Sequence, residues 1–240
     1  MERLYDIQLG GVVLTGCFRF PETPLRFGAY CLGESSASEG LRIPDYEQAL
    51  WDSWGLETDA QFEFSCFTAV ASDTLSEHGR GIMHAVAFRF RDRAYLLCAS
   101  SGVGKSTTLR TLRELFPGRF SVICGDRPIL RVSDGGAVEV EPSPWNGKED
   151  WHGADAAPLG AVLILERGEE SGLVQLSKRE AALPVYNAWI QTLRTESSIH
   201  RFASLSTAVI DAAPVYRFTS GGVPDGAQFL YDTLFKEADV

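Results

Sequence analysis

The chain has 240 residues, 45% of them hydrophobic and 22% charged, which suits one soluble domain or one domain with a small appended module. A formal net charge of −10 argues against a nucleic-acid partner held by bulk charge. The longest apolar runs, such as AVLIL (161–165), are too short to span a bilayer, so no membrane partner is expected.

The N-terminus, MERLYDIQLGG, carries early acids and no apolar signal region, which predicts a cytoplasmic location. Cys17, Cys31, Cys66, Cys98 and Cys124 are dispersed without a C-x-x-C pair and read as reduced core thiols. YDIQL and GVVLTGCFRF read as strands paired around Gly10–Gly11, and residues 1–75 as a β-rich segment. PDYEQALWDSW (44–54) reads as a loop or a short helix. IMHAVAFRF alternates and predicts one strand, and RAYLLCA a second after a turn at Arg91–Asp92. KSTTLRTLRELF predicts a helix with Leu109, Leu112, Leu115 and Phe116 on one face, stopped by Pro117–Gly118. FSVICGD reads as a buried strand ending at Gly125–Asp126, and PILRVSDGGAVEVEP as a hairpin. A long polar and aromatic loop follows, then the buried strand LGAVLILE. SKRE (177–180) is a capping box, and Pro184 is expected to break the helix it opens. APVYRFT predicts a late strand and DGAQFLYDTLFKEA a closing helix. The alternation of strands and helices predicts an α/β fold, and the hairpins predict a mixed sheet.

The chemistry concentrates in CASSGVGKSTTL, Cys98–Leu109. It fits the phosphate-loop pattern G-x-x-x-x-G-K-[ST] with Ala99 in the first glycine's place. Small residues let successive backbone N–H groups converge on an anion, and the following helix offers its positive end. Ser101, Gly102, Val103, Gly104, Lys105, Ser106 and Thr107 are therefore candidates for cradling the phosphates of ATP. Lys105 would neutralise phosphate charge, and the Ser106 hydroxyl and Asp126 would hold Mg2+. A turn-forming Asp before Arg127–Pro128 is the alternative for Asp126.

Other phosphate-loop classes lack their marks here. N-K-x-D, the base-reading element of GTPases, is absent, as is an L-S-G-G-Q-like segment. The strand ending in Cys124–Gly125–Asp126 has no adjacent Glu to activate water. By elimination the local pattern favours phosphate transfer over hydrolysis.

MHAVAFRFRDRAYLLCASSGVGKST, followed by a strand ending in aspartate, resembles the HPr kinase/phosphorylase catalytic domain, which shares its core with ATP-dependent phosphoenolpyruvate carboxykinases. GDRPIL, SPWNGK (143–148) and APLGAVLILERG (157–168) are more similar to short HPr-kinase-like proteins of peptide-modification clusters, including lasso-peptide kinases. The resemblance covers about residues 80–235. It implies a mixed phosphate-loop sheet with flanking helices, and multimers in some members; the kinase-like domain is then 76–240, preceded by the β-rich residues 1–75, which the resemblance does not reach. It also implies a histidine before the loop, met here by His84, 21 positions ahead of Lys105. The family ends the next strand in an acidic pair whose acid near the γ-phosphate serves as general base. Gly125 stands at the first of those two positions, so only Asp126 is kept.

The resulting expectation is an ATP- and Mg2+-dependent kinase acting on a Ser/Thr hydroxyl of a peptide or small protein. His84, Asp126, Arg127 and Lys148 are its candidate catalytic residues. His84 also reads as a core histidine sharing a face with Ile82, Val86 and Phe88. Arg127 could grip phosphate or salt-bridge a neighbour. Trp145 and Trp151 read as hydrophobic anchors of their loop, and Lys148 as a phosphate contact. The alternatives are an ATP-binding regulatory or scaffold protein without transfer, and transfer to a small metabolite.

Overall fold

The computed structural model describes residues 2–43, 58–153, 155–192 and 195–236; PDYEQALWDSW (44–54) lies outside them. Strands β1 (Arg3–Leu9) and β2 (Val12–Phe18) form an antiparallel hairpin. Gly10 and Gly11 turn it with φ of 55° and 77°, left-handed values that glycine adopts without steric cost. A 3-10 segment (Pro24–Tyr30) leads to β3 (Cys31–Glu34), and β4 is Leu41–Arg42. These strands make a small sheet in the order β3-β1-β2-β4.

Helix α1 (Asp59–Leu75) follows, capped by the Thr58 side chain. It lies within the stretch expected to be β-rich. Its buried residues include Glu63, whose carboxylate accepts from the amides of Arg19 (2.8 Å) and Phe20 (3.3 Å) and from the Thr23 hydroxyl (2.5 Å). These bonds tie α1 to the chain leaving β2. Phe18, Phe27, Phe62 and Phe67 pack with Ile82, Ile129 and Trp145 into one core cluster between the small sheet, α1 and the rest of the protein. Phe67 is 0% exposed, and Phe67→Ala should cost about 3–5 kcal/mol of stability. A urea titration should show this as a lower midpoint at unchanged slope.

The second sheet carries β5 (Arg80–Ile82), β6 (Ala85–Phe90), β7 (Arg93–Cys98), β8 (Phe120–Cys124), β9 (Ile129–Val132), β10 (Val138–Glu141), β11 (Ala157–Arg167), β12 (Gly172–Gln175) and β13 (Val215–Ser220). Its order is β5-β9-β10-β11-β7-β6-β8, with β13 alongside β11 and β12 alongside β13. β7, β11 and β13 are parallel, while β6 runs antiparallel to both β7 and β8. The sheet is therefore mixed, as the hairpins predict. β7 and β8 end at the same edge, and β6 begins there.

IMHAVAFRF is not one strand. β5 pairs with β9 and β6 pairs with β7 and β8, and the chain breaks direction at Met83–His84. The alternation that set His84 on a face with Ile82 does not run across this break.

Helices cover both faces of the sheet, which explains its near-continuous apolar strands. On one face α2 (Lys105–Leu115) and α5 (Asp225–Leu230), which continues as a π-type turn to Phe235, pack on Val86, Phe88, Leu97 and Leu163. Leu109 and Leu112 are buried there, whereas Leu115 is 40% exposed, so the apolar face of α2 ends one turn early. On the other face α3 (Lys178–Ala188) and α4 (Glu196–Ala212) cover Ala85, Ala87, Leu96 and Val162. The Ser177–Glu180 capping box forms as expected. Pro184 does not break α3: the capped first turn and the buried Ala181, Val185 and Ala188 hold the helix through it. All five cysteines are free thiols; burial pushes Cys66 and Cys98 up to about 12. Among the described residues no helix is long and apolar enough to cross a membrane.

Candidate active site

The chain between β7 and α2 is the glycine loop. Gly102 (φ 80°) and Gly104 (φ 125°) adopt backbone conformations that side chains resist. Gly104 is the N-cap of α2 and supplies no side-chain cap, so the first amides of the helix are left for a ligand or water. Arg167, at the end of β11, donates to the carbonyls of Val103 (Nε, 2.9 Å) and Gly102 (Nη2, 2.6 Å). This clamp follows from topology: β11 is parallel to β7, so its end abuts the loop that leaves β7. Ser101, Gly102 and Thr107 are exposed at the rim, and Val103, Gly104 and Ser106 are half-buried.

Lys105 is 8% exposed and turns back into the loop. Its Nζ donates to the Ala99 carbonyl at 2.9 Å and lies 3.1 Å from His84 Nε2. His84 Nε2 also lies 3.5 Å from Asp126 Oδ1. Burial, and then the charge of Lys105, hold His84 below the usual histidine range, while Asp126 opposes them. A neutral ring presents a lone pair at Nε2, which matches the ammonium donor; that nitrogen then makes no hydrogen bond or ion pair with Asp126. Burial likewise lowers Lys105 from the usual lysine range, and Asp126 opposes that too.

Asp126 ends the turn after β8, and its backbone carbonyl accepts from the Ala85 amide at 2.9 Å. Its Oδ2 lies 3.1 Å from Arg127 Nε. Arg127 Nη1 donates to the Ser65 carbonyl (3.0 Å) and the Thr68 hydroxyl (2.7 Å) on α1. Of the two readings of Arg127, the ion pair to a neighbour is the arrangement found.

The structure thus brings His84, Lys105, Asp126 and Arg127 together beside the uncapped end of α2. It does not bring Lys148 into that group. Lys148 is exposed and has no bond or ion-pair partner among the described residues. Trp145 is a buried plug, as anticipated: its Nε1 donates to the Phe64 carbonyl at 2.9 Å and its ring packs on Phe27 and Phe64. Trp151 is half-buried beneath Arg113. Glu149 pairs with Arg110 at 2.5 Å.

The loop 143–153 also accounts for Gly125. A Cβ at Gly125 would lie 2.3 Å from the Asn146 carbonyl oxygen and 3.2 Å from Trp151 Cβ. The next residue, Gly147 (φ 70°), is pressed against Asp126, where its Cβ would come within 3.0 Å of Asp126 Cβ. Main chain therefore fills the space that an acid at 125 would need. Asn146 Nδ2 lies 2.8 Å from His152 Nδ1, and His152 Nε2 lies 2.7 Å from Asp150 Oδ1, which closes the loop on itself.

Ser65, Thr68 and Arg167 are site neighbours that no local pattern announces. Arg167 alone carried a signal, as a cation at the end of a strand parallel to the one before the glycine loop. Among the described residues no cluster of three His, Cys, Asp or Glu side chains forms a ready metal cage. A hard cation between Ser106 and Asp126 would complete its shell with phosphate oxygens and water, which suits Mg2+.

Neither the known protein families nor the curated proteins contain a sequence match to this chain. Among solved structures it is similar to the HPr(Ser) kinase/phosphatase from Coxiella burnetii, at 12% identity and a TM-score of 0.38, over 66% of this chain and 95% of that one.

Proposed function

We propose that the protein is an ATP- and Mg2+-dependent phosphotransferase whose acceptor is a Ser or Thr hydroxyl of a peptide or small protein. The observation that carries this reading is the meeting of a buried lysine, a histidine and an aspartate beside the uncapped N-terminus of α2. The amides of residues 101–107 and Lys105 bind the phosphates of ATP. Ser106 and Asp126 hold Mg2+, which would neutralise charge on the phosphate oxygens. In forming its bonds to phosphate, the Lys105 ammonium leaves His84 Nε2. That lone pair then takes the proton of the acceptor hydroxyl as the new O–P bond forms and the bond to the departing ADP oxygen breaks. Exposed Lys148 is an acceptor contact in this reading.

The test is incubation with γ-labelled ATP, Mg2+ and Ser/Thr peptides. Label on a peptide supports the proposal; ATP turnover that no acceptor changes would sink it. The packing of Asn146 against Gly125 favours a second reading, a protein that holds ATP without transfer. Tight ATP binding with no label on any acceptor would identify it.

The pH dependence of kcat/KM separates the two ionising groups in the free enzyme. His84 is depressed, so it stays neutral down through its lowered pKa. The rate should be flat near neutrality and fall only as pH drops below 6.5, the ordinary histidine value. Lys105 is depressed as well, so the alkaline limb should appear below 10.5. His84→Gln should lower the rate by about 10²–10⁴-fold and abolish the acid limb. A variant that kept the acid limb would remove His84 from proton transfer.

A further inference from the structure

Helix α1 meets the site through two neighbouring contacts. The carbonyl of Phe64 accepts from the indole of Trp145, and the carbonyl of Ser65 accepts from Arg127. Thr68 is 1% exposed, and its hydroxyl donates to the Ser65 carbonyl at 2.8 Å, which leaves its lone pairs to accept from Arg127 Nη1 at 2.7 Å. The main chain of Arg127 is fixed as well: its amide donates to the Trp145 carbonyl at 3.2 Å, and its carbonyl accepts from the Ser143 hydroxyl at 2.6 Å. With the main chain and Nη1 of the residue held, Nε of the guanidinium meets Asp126 Oδ2 at 3.1 Å. That contact leaves Oδ1 facing His84 Nε2, 3.5 Å away.

We propose that Thr68, with the Ser65 carbonyl, positions Arg127 so that Arg127 orients the Asp126 carboxylate for the cation. The metal role of Asp126 rests on the phosphotransferase reading; the mechanical link from α1 to Asp126 does not. Helix α1 is in turn held by Glu63 to the chain leaving β2, so the N-terminal segment takes part in setting the geometry of the phosphate site. Thr68 and Ser65 are positioning groups, since neither reaches the reacting atoms.

The experiment compares Thr68→Val, which keeps the shape and loses the hydroxyl, with Thr68→Ser, which keeps the hydroxyl. The first readout uses nucleotide-free protein: the NMR signal of the Arg127 Nε–H, assigned by its loss in Arg127→Lys. Its exchange with solvent should quicken by about tenfold in Thr68→Val, the effect of losing one hydrogen bond to a charged group, and stay at the wild-type rate in Thr68→Ser. The second readout is the Mg2+ concentration that gives half-maximal strengthening of ATP binding. It should rise by about tenfold in Thr68→Val, with Mg2+-free ATP affinity unchanged. Arg127→Lys should shift the same midpoint, which keeps the test decisive if Thr68→Val fails to fold. An Arg127 signal indifferent to Thr68→Val overturns the link. So does an equal loss of ATP affinity with and without Mg2+, the mark of general loosening. A wild-type protein that binds no ATP, while its Arg127 signal responds as expected, removes the phosphate reading and keeps the link.

Discussion

Lys105→Met is expected to lower ATP turnover by about 10²–10³-fold, the usual effect of removing one preorganised donor to a phosphate or oxyanion. The same substitution should leave the protein as stable as wild type, or more stable. Burial lowers the Lys105 pKa, so keeping this ammonium charged in the folded state works against folding at neutral pH. Its hydrogen-bond partners in the free protein are the Ala99 carbonyl and a histidine lone pair, and the Asp126 charge opposes the effect of burial without cancelling it. A lysine kept for structure would behave the opposite way, and its removal would lower the melting temperature. Thermal unfolding and a labelled-ATP assay on the same preparation decide between them. A large loss of stability with activity intact would show that Lys105 is a packing residue.

Gly125→Asp is expected to destabilise the protein by about 3 kcal/mol, the upper range for forcing atoms into a filled site, and to give no gain in activity. The added Cβ would lie 2.3 Å from the Asn146 oxygen, a backbone atom that can move only with its loop. That loop is fixed by the buried Trp145 and by the bonds among Asn146, His152 and Asp150. Gly172→Ala is the control. It has ordinary φ and open space at its Cβ, and should stay within about 0.5 kcal/mol of wild type. Urea midpoints measure both. A Gly125→Asp protein with wild-type stability and a faster rate would mean that the loop yields and that the site lacks a base at 125.

The parts of the fold that were legible in the sequence are those set by neighbours in the chain. Apolar runs gave β7, after the Arg91–Asp92 turn, and β11; the Gly10–Gly11 pair gave the β1–β2 turn, and Ser177 with Glu180 gave the start of α3. The break at Met83–His84 was not legible, because it depends on which distant strand each half pairs with. Helix α1 escaped for a different reason. It is buried on several sides, with Phe62, Glu63, Phe67 and Thr68 all inside, so it shows no clean apolar stripe. Glu63 and Thr68 are polar residues whose partners lie far along the chain, and burial of that kind leaves no local trace. The site divides the same way. The glycine loop and Asp126 could be read directly, and the place of His84 before Lys105 came with the family resemblance. The link from Arg127 to Thr68 spans 59 positions and could not. Gly125 looked like a missing acid when set against the resembled family; the Asn146 carbonyl shows that its smallness is itself required.

The bond between Lys105 and His84 bears on timing as well as geometry. While the lysine occupies Nε2, an acceptor that arrives first meets a base with no free lone pair. Only after the donor nucleotide has drawn the lysine away is the ring able to act. Under the proposed chemistry the base becomes available only in the nucleotide complex. An acceptor bound alone waits beside a silent histidine until the donor arrives.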